Sequence, residues 1–116
     1  MLTTGFGFVT KEEVLILQDQ MSNDLEFDPT SSQIVDFAQL SGTDIGLGDV
    51  HIFAQRDAFS SESRRAIVVK GDVAFGFAKI FELCRQLSGA RGIRVFRDRD
   101  EAFDWILSPE AVSTAR

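Results

Sequence analysis

Tyrosine is absent from this 116-residue chain, cysteine, histidine and tryptophan occur once each, and proline only twice. A lone cysteine, Cys84, excludes an internal disulfide and a thiolate zinc site. It falls at an apolar position of a helical pattern and reads as a small buried hydrophobe. A lone histidine, His51, leaves little material for nucleophile–base catalysis, and no serine stands in a G-x-S-x-G setting. A metal site would have to join His51 to Asp44 and Asp49, which do not fall at spacings that share a face with ligand geometry. Gly46-Leu47-Gly48 lacks the third glycine of a dinucleotide fingerprint, and no phosphate-binding P-loop motif occurs. No enzyme, metal or cofactor is therefore expected. No apolar run approaches the roughly 20 residues that span a bilayer, and the N-terminus does not resemble a signal peptide, so a cytoplasmic protein is expected. The formal charge of −6 argues against nucleic acid and anionic membrane as partners, since both demand a basic surface.

Phenylalanine, by contrast, is abundant, with 11 copies. These rings need no hydrogen-bond partner and suit a dry core or an apolar pocket. The charge is unevenly distributed along the chain. Residues 1–63 carry two basic side chains (Lys11 and Arg56) against eleven acidic ones, while residues 64–116 carry ten basic and seven acidic. If the two halves come to face opposite ways, a complementary contact between copies follows.

Residues 2–9 place Leu2, Thr4, Phe6 and Phe8 on one phase and Thr3, Gly5 and Gly7 on the other, a strand with one nearly bare face. Thr10 and Glu13 form a T-x-x-E capping box before Val14, Leu17 and Met21, which predicts a helix over 11–21. Residues 33–38 predict a second strand and 41–48 a strand-to-helix loop. A helix follows over 49–57, with Val50, Phe53 and Ala54 on one side. The apolar run 65–70 has the character of a strand buried on both faces. Asp72 is the expected N-cap of a long helix over 73–87. The expected core stripe of that helix is Val73, Phe77, Ile80, Phe81, Cys84 and Leu87, with Phe75 and Leu83 off it. Residues 93–96 predict a last strand, and Asp98 the cap of a helix that faces Ala102, Phe103 and Ile106 inward. The order predicts one α/β domain over 1–108, with a mixed, mostly parallel sheet of four to five strands flanked by helices, and a frayed tail over 109–116.

In such sheets ligands and partners meet the loops at the carboxyl ends of the strands. Here those loops are 38–48 and 70–72. Arg91, Arg94, Arg97 and Arg99 bracket the last strand and read as a solvated rim. Arg64, Arg65 and Arg97 are the alternative candidates for contact with an anion.

The run QIVDFAQLSGTDIGLGDVHIFA resembles the strand, loop and helix that carry the switch in STAS domains, the anti-sigma-factor antagonist fold. The runs SRRAIVVKGDVAFGFAKIFELCRQL and IRVFRDRDEAFDWI are similar to the SpoIIAA-like (STAS/SEC14) group. The resemblance spans most of residues 32–106 and implies a bacterial protein with a helix-flanked mixed sheet. In phosphorylated switches the loop reads D-S-[ST]-G. Here Asp44-Ile45-Gly46-Leu47-Gly48 stands in that place, and neither Ile45 nor Gly46 can accept phosphate. Ser41 and Thr43 precede the aspartate and do not inherit the role. Relatives also begin with a further strand that pairs with residues 1–9. Its absence here implies either an exposed edge or a second subunit covering it, hence a homodimer.

Two functional expectations result. The first is a non-catalytic regulatory module that binds a protein partner, or itself, through Ser41, Thr43, Asp44, Leu47 and Asp49. The second is a small apolar ligand or lipid-binding domain whose pocket lies between the long helix and the sheet, with Phe75, Phe77 and Phe81 as walls.

Overall fold

The computed structural model describes residues 1–108; the tail expected to fray lies outside the described residues. Strand and helix alternate without exception: β1 (Leu2–Val9), α1 (Lys11–Asn23), β2 (Gln33–Thr43), α2 (Leu47–Gln55), β3 (Arg65–Val68), α3 (Asp72–Leu87), β4 (Ile93–Phe96) and α4 (Arg99–Leu107). Among the described residues the strands form one sheet in the order β1-β2-β3-β4, every neighbouring pair parallel. The α/β architecture is thus the expected one, with four strands and helices on both faces.

The two faces differ. β3 lies between β2 and β4, and all four of its residues are buried. Its alternating side chains divide between two apolar clusters. Ile67, with Val35, Ile93 and Val95, packs against Ala74, Ala78 and Phe81 of α3. Ala66 and Val68, with Ile34, pack against Ala102, Phe103 and Ile106 of α4. Burial of a valine such as Val68 contributes about 1.5–3 kcal/mol. The inward side of α4 is the expected one, and Asp98 caps it by accepting from the Asp100 amide at 3.1 Å. At its other end Arg64 donates to the carbonyls of Trp105, Ile106 and Ser108, satisfying groups that a helix C-terminus leaves free.

The boundaries depart from expectation where pairing overrides local propensity. β2 runs on through Thr43, where a loop was expected from residue 41, because β1 supplies the ladder: Gly7, Phe8 and Val9 pair with Leu40, Gly42 and Thr43. Register shifts between Thr4 and Phe6 and between Gly7 and Phe8 absorb the extra residues of β2. α2 begins at Leu47, and the N-cap of α3 is Gly71, with Asp72 inside the first turn.

The stripe of α3 is also rotated from the expected one. Val73, Ile80 and Leu87 are exposed, and the inward side is Ala74, Ala78, Phe81, Glu82 and Arg85. Small alanines let the helix approach the sheet closely. The two charged residues can turn inward because each is paired, Arg85 with Asp57 and Glu82 with Lys79.

Candidate functional site

A cavity of about 180 Å³ opens between the sheet and α1, α2 and α3. Its floor comes from the bare phase of β1 and the alternate residues of β2 and β3, among them Thr3, Gln33, Val35, Arg65 and Ile67. Phe77 and Phe81 of α3 and Phe53 of α2 form its walls. Val14, Leu17 and Met21 of α1 form the roof. They are only half-buried, so the expected apolar stripe of α1 lines a space rather than filling one. The space is a half-open cleft and not a sealed void, so a ligand can enter it from the α1 side.

The lining is mostly apolar, with Gln18 and Thr43 as isolated polar residues and a polar cluster at the amino ends of the strands. There Thr3, Gln33 and Arg65, first or second in their strands, join Asp57 in one hydrogen-bonded chain. The Gln33 amide donates to Thr3 Oγ1 at 3.1 Å, and Arg65 Nε donates to Gln33 Oε1 at 3.2 Å. Arg65 Nη1 pairs with Asp57 Oδ2, and Arg85 Nε reaches the same oxygen at 2.9 Å. One carboxylate therefore faces two guanidiniums, and all three side chains are largely buried. The Arg65 guanidinium also lies over the Phe59 ring, 4.2 Å from its centre. Burial pulls the Arg65 pKa below its ordinary value; Asp57 opposes that pull and neighbouring Arg85 adds to it. Removing one member of such a buried network costs roughly 3–5 kcal/mol, because it strands the charge that remains.

Gln18 is the buried residue of α1. Its Nε2 donates to the Phe53 carbonyl at 2.9 Å, and since a carbonyl can only accept, this bond fixes the amide orientation. Gln18 Oε1 is then a buried acceptor with no protein donor, and Gln18 lines the cavity. An unmet acceptor of this kind costs about 1–3 kcal/mol.

Of the residues expected on the partner surface, Ser41, Asp44 and Leu47 are exposed, while Thr43 and Asp49 are half-buried. Thr43 Oγ1 donates to the Val9 carbonyl at 2.6 Å and accepts from the Ile45 amide at 3.1 Å. Asp44 Oδ1 accepts from the Lys11 amide at 2.8 Å, at the start of α1. Asp49 Oδ2 accepts from the Gly46 amide at 2.9 Å, at the start of α2. Thr43 and Asp44 thus tie the β1–α1 junction to the β2–α2 one, and Asp49 closes the start of α2. Of the expected pocket walls, Phe77 and Phe81 line the cavity. Phe75 does not: it packs on the core and lies under the Arg97 guanidinium, 4.2 Å from the ring centre.

Arg97 is held by the Lys70 carbonyl and Asp72, and Arg64 by α4. Of the three arginines considered for anion contact, Arg65 lines the cavity. The polar end thus lies at the amino ends of the strands, opposite to the expected loops.

Gln18, Gln33 and Asp57 had no place in the sequence reading. The available signal was position: Gln18 falls four residues after Val14 and three before Met21, on the apolar face of its helix. Cys84 is half-buried rather than fully buried, its sulfur 3.9 Å from His51 Nδ1. Among the described residues no group of three His, Cys, Asp or Glu side chains could hold a metal ion, and no helix is long and apolar enough to cross a membrane.

A scan against protein-family models finds no match to the chain. A search of curated proteins finds no match either.

Proposed function

We propose that this protein is a non-catalytic binding module that holds a small, largely apolar molecule between its sheet and α1–α3. The observation that carries the reading is the cavity itself, about 180 Å³, apolar over most of its length and equipped with an unmet acceptor on Gln18. A cavity of about 150 Å³ lined by aliphatic and aromatic groups binds benzene, whereas drug-sized sites run to roughly 300–1,000 Å³. The ligand is therefore about one aromatic ring or a short aliphatic chain in size. The resemblance to the SpoIIAA-like group agrees with this assignment through its SEC14 branch, and the same reading places the protein in the cytoplasm.

The test is a titration of toluene followed through backbone amide resonances of the full chain. Shifts should concentrate on Val35, Ile67 and Phe77 and vanish in Leu17→Trp, which fills the cavity from the roof. Uniform shifts in the wild type, or none with toluene or any amphipathic probe of that size, would overturn the assignment. Native mass spectrometry of the freshly purified protein provides a second readout, with a small co-purifying molecule expected.

A second reading, association with another copy, is favoured by one observation. β1 is an edge strand, and Leu2, Phe6 and Phe8 on its α4-side face are 51%, 74% and 59% exposed. α4 packs over β2, β3 and β4 and reaches β1 only beside Leu2. A regulatory protein partner would use the 41–49 surface, where Ser41, Asp44 and Leu47 are exposed.

A further inference from the structure

The charge at the cavity's polar end does not balance. Arg65 and Asp57 are the charged residues among those lining it, and Arg85 touches Asp57 from behind. Two guanidiniums against one carboxylate leave one positive charge in a largely desolvated place. The remaining contacts of these side chains do not cancel it. Gln33 Oε1, which accepts from Arg65 Nε, and the Phe59 carbonyl, which accepts from Arg85 Nη2 at 3.3 Å, are neutral. Glu82, the buried acid of α3, is paired with Lys79 at 2.7 Å. A buried charge without a counterion is costly, and the cavity beside it is where a counterion can enter.

The opposite end of the same cavity is lined by Leu40, Ile45, Val50, Val69 and Phe77 and carries no charge. The space therefore has a cationic pole at the amino ends of the strands and an apolar body that extends toward their carboxyl ends. Such a shape excludes a symmetric hydrocarbon as the best occupant and excludes a cation altogether.

Resting on the cavity reading above, we infer that the ligand is a small amphipathic monocarboxylate, its carboxylate on Arg65 and its ring or short chain among Val35, Ile67 and Phe77. A guanidinium is a strong donor to a carboxylate, and with Arg65 Nε on Gln33 and Nη1 on Asp57 its Nη2 is the nitrogen those bonds leave over. With a monoanion bound, Arg65, Arg85, Asp57 and the ligand sum to zero. The sequence alone named Arg65 only as one of several surface candidates; its burial beside Asp57 and Arg85 separates it from them.

Calorimetric titration of the full chain with matched pairs tests this: phenylacetate against phenylacetamide, and hexanoate against hexanamide. Each pair shares its shape and differs in charge. The acid should bind roughly tenfold or more tightly than its amide, the range expected of a desolvated charged hydrogen bond. Arg85→Gln, which makes the site neutral while keeping Arg65 on Asp57, should bring that ratio close to one. Arg85→Lys should retain the preference, and Asp57→Asn, which leaves two positive charges, should widen it. If Arg85→Gln does not fold, salt decides in the wild type, since added chloride should weaken the acid and leave the amide alone. Amides that bind as well as acids would overturn this inference and leave the cavity reading standing. If acids, amides and toluene all fail to bind, both fall.

Discussion

Gly92 shows how tightly single positions are constrained around the polar pole. It precedes β4 and passes the chain entering β3 so closely that a Cβ there would lie 2.5 Å from the Ser63 carbonyl oxygen and 3.1 Å from Arg64 Cα. Both contacts are backbone, so no side chain can swing away. The crossing is held by Arg65 N donating to the Gly92 carbonyl at 2.7 Å and by Ser63 Oγ donating to the Ser31 carbonyl at 2.5 Å. Gly92→Ala must move one strand against the other, and overpacking of this kind costs typically 1–3 kcal/mol. For a domain of this size that lowers Tm by about 4–8 °C per kcal/mol. Urea unfolding of the pure variant measures the loss, and a change below about 0.5 kcal/mol would show that the crossing has slack. Nothing local in the sequence marks this glycine, since the chain it touches lies some thirty residues earlier. Arg65 is a contrasting case. A charged residue opening a strand that is otherwise apolar on both faces must find a partner, so its burial was inferable, though Asp57 as the partner was not.

At the scale of elements, α1 differs from the other helices in what holds it. Its N-terminus is fastened well: Thr10 and Glu13 close the expected capping box, and Asp44 accepts from the Lys11 amide. Along its length the attachments are few. Gln18 donates to the Phe53 carbonyl, and Asp19 pairs with an Arg56 that is itself well exposed, a contact of small worth in water. Its apolar residues face the cavity. Hydrogen exchange should therefore find the α1 amides from Val14 onward opening more readily than those of β3 and α4, and slowing when phenylacetate is bound. Protection in α1 equal to that of β3, with or without the ligand, would contradict its place as a roof over a binding space. The elements themselves were legible because period 3.6, period 2 and the caps at Thr10 and Asp98 are local signals. The end of β2 was not, since Ser41, Gly42 and Thr43 favour turns and become strand only through the ladder that β1 provides. The facing of α3 was not either: the sequence cannot show that Ala74 and Ala78 are chosen for close approach while Val73 and Leu87 stay in water.

The whole molecule carries an asymmetry that its strand order makes spatial. Because the strands lie in chain order, the acidic first half forms the β1 side of the sheet and the basic second half the β4 side. The separation left open by the sequence is thus partial, since Arg65 and Arg85 pair with Asp57 and Arg99 with Asp36 across the two halves. It offers two ways for copies to meet, and they respond to salt in opposite directions. Pairing of β1 with β4 of the next copy would bring acid to base, would grow without closing, and would weaken as salt is added. Pairing of β1 with β1 about a two-fold axis would close as a dimer and bury Leu2, Phe6 and Phe8 on a strand that has no charged residue. It would also bring two acidic halves together, so salt should strengthen it. The uncovered phenylalanines favour the second arrangement. Sedimentation across a concentration series should show a monomer–dimer equilibrium that shifts toward dimer between low and moderate salt. Phe6→Ser combined with Phe8→Ser should leave a monomer, still folded and still shifting toluene-sensitive amides, because both rings lie on the face away from the cavity. A wild type that stays monomeric at high concentration, or one that forms larger species dissolved by salt, would rule the two-fold pairing out.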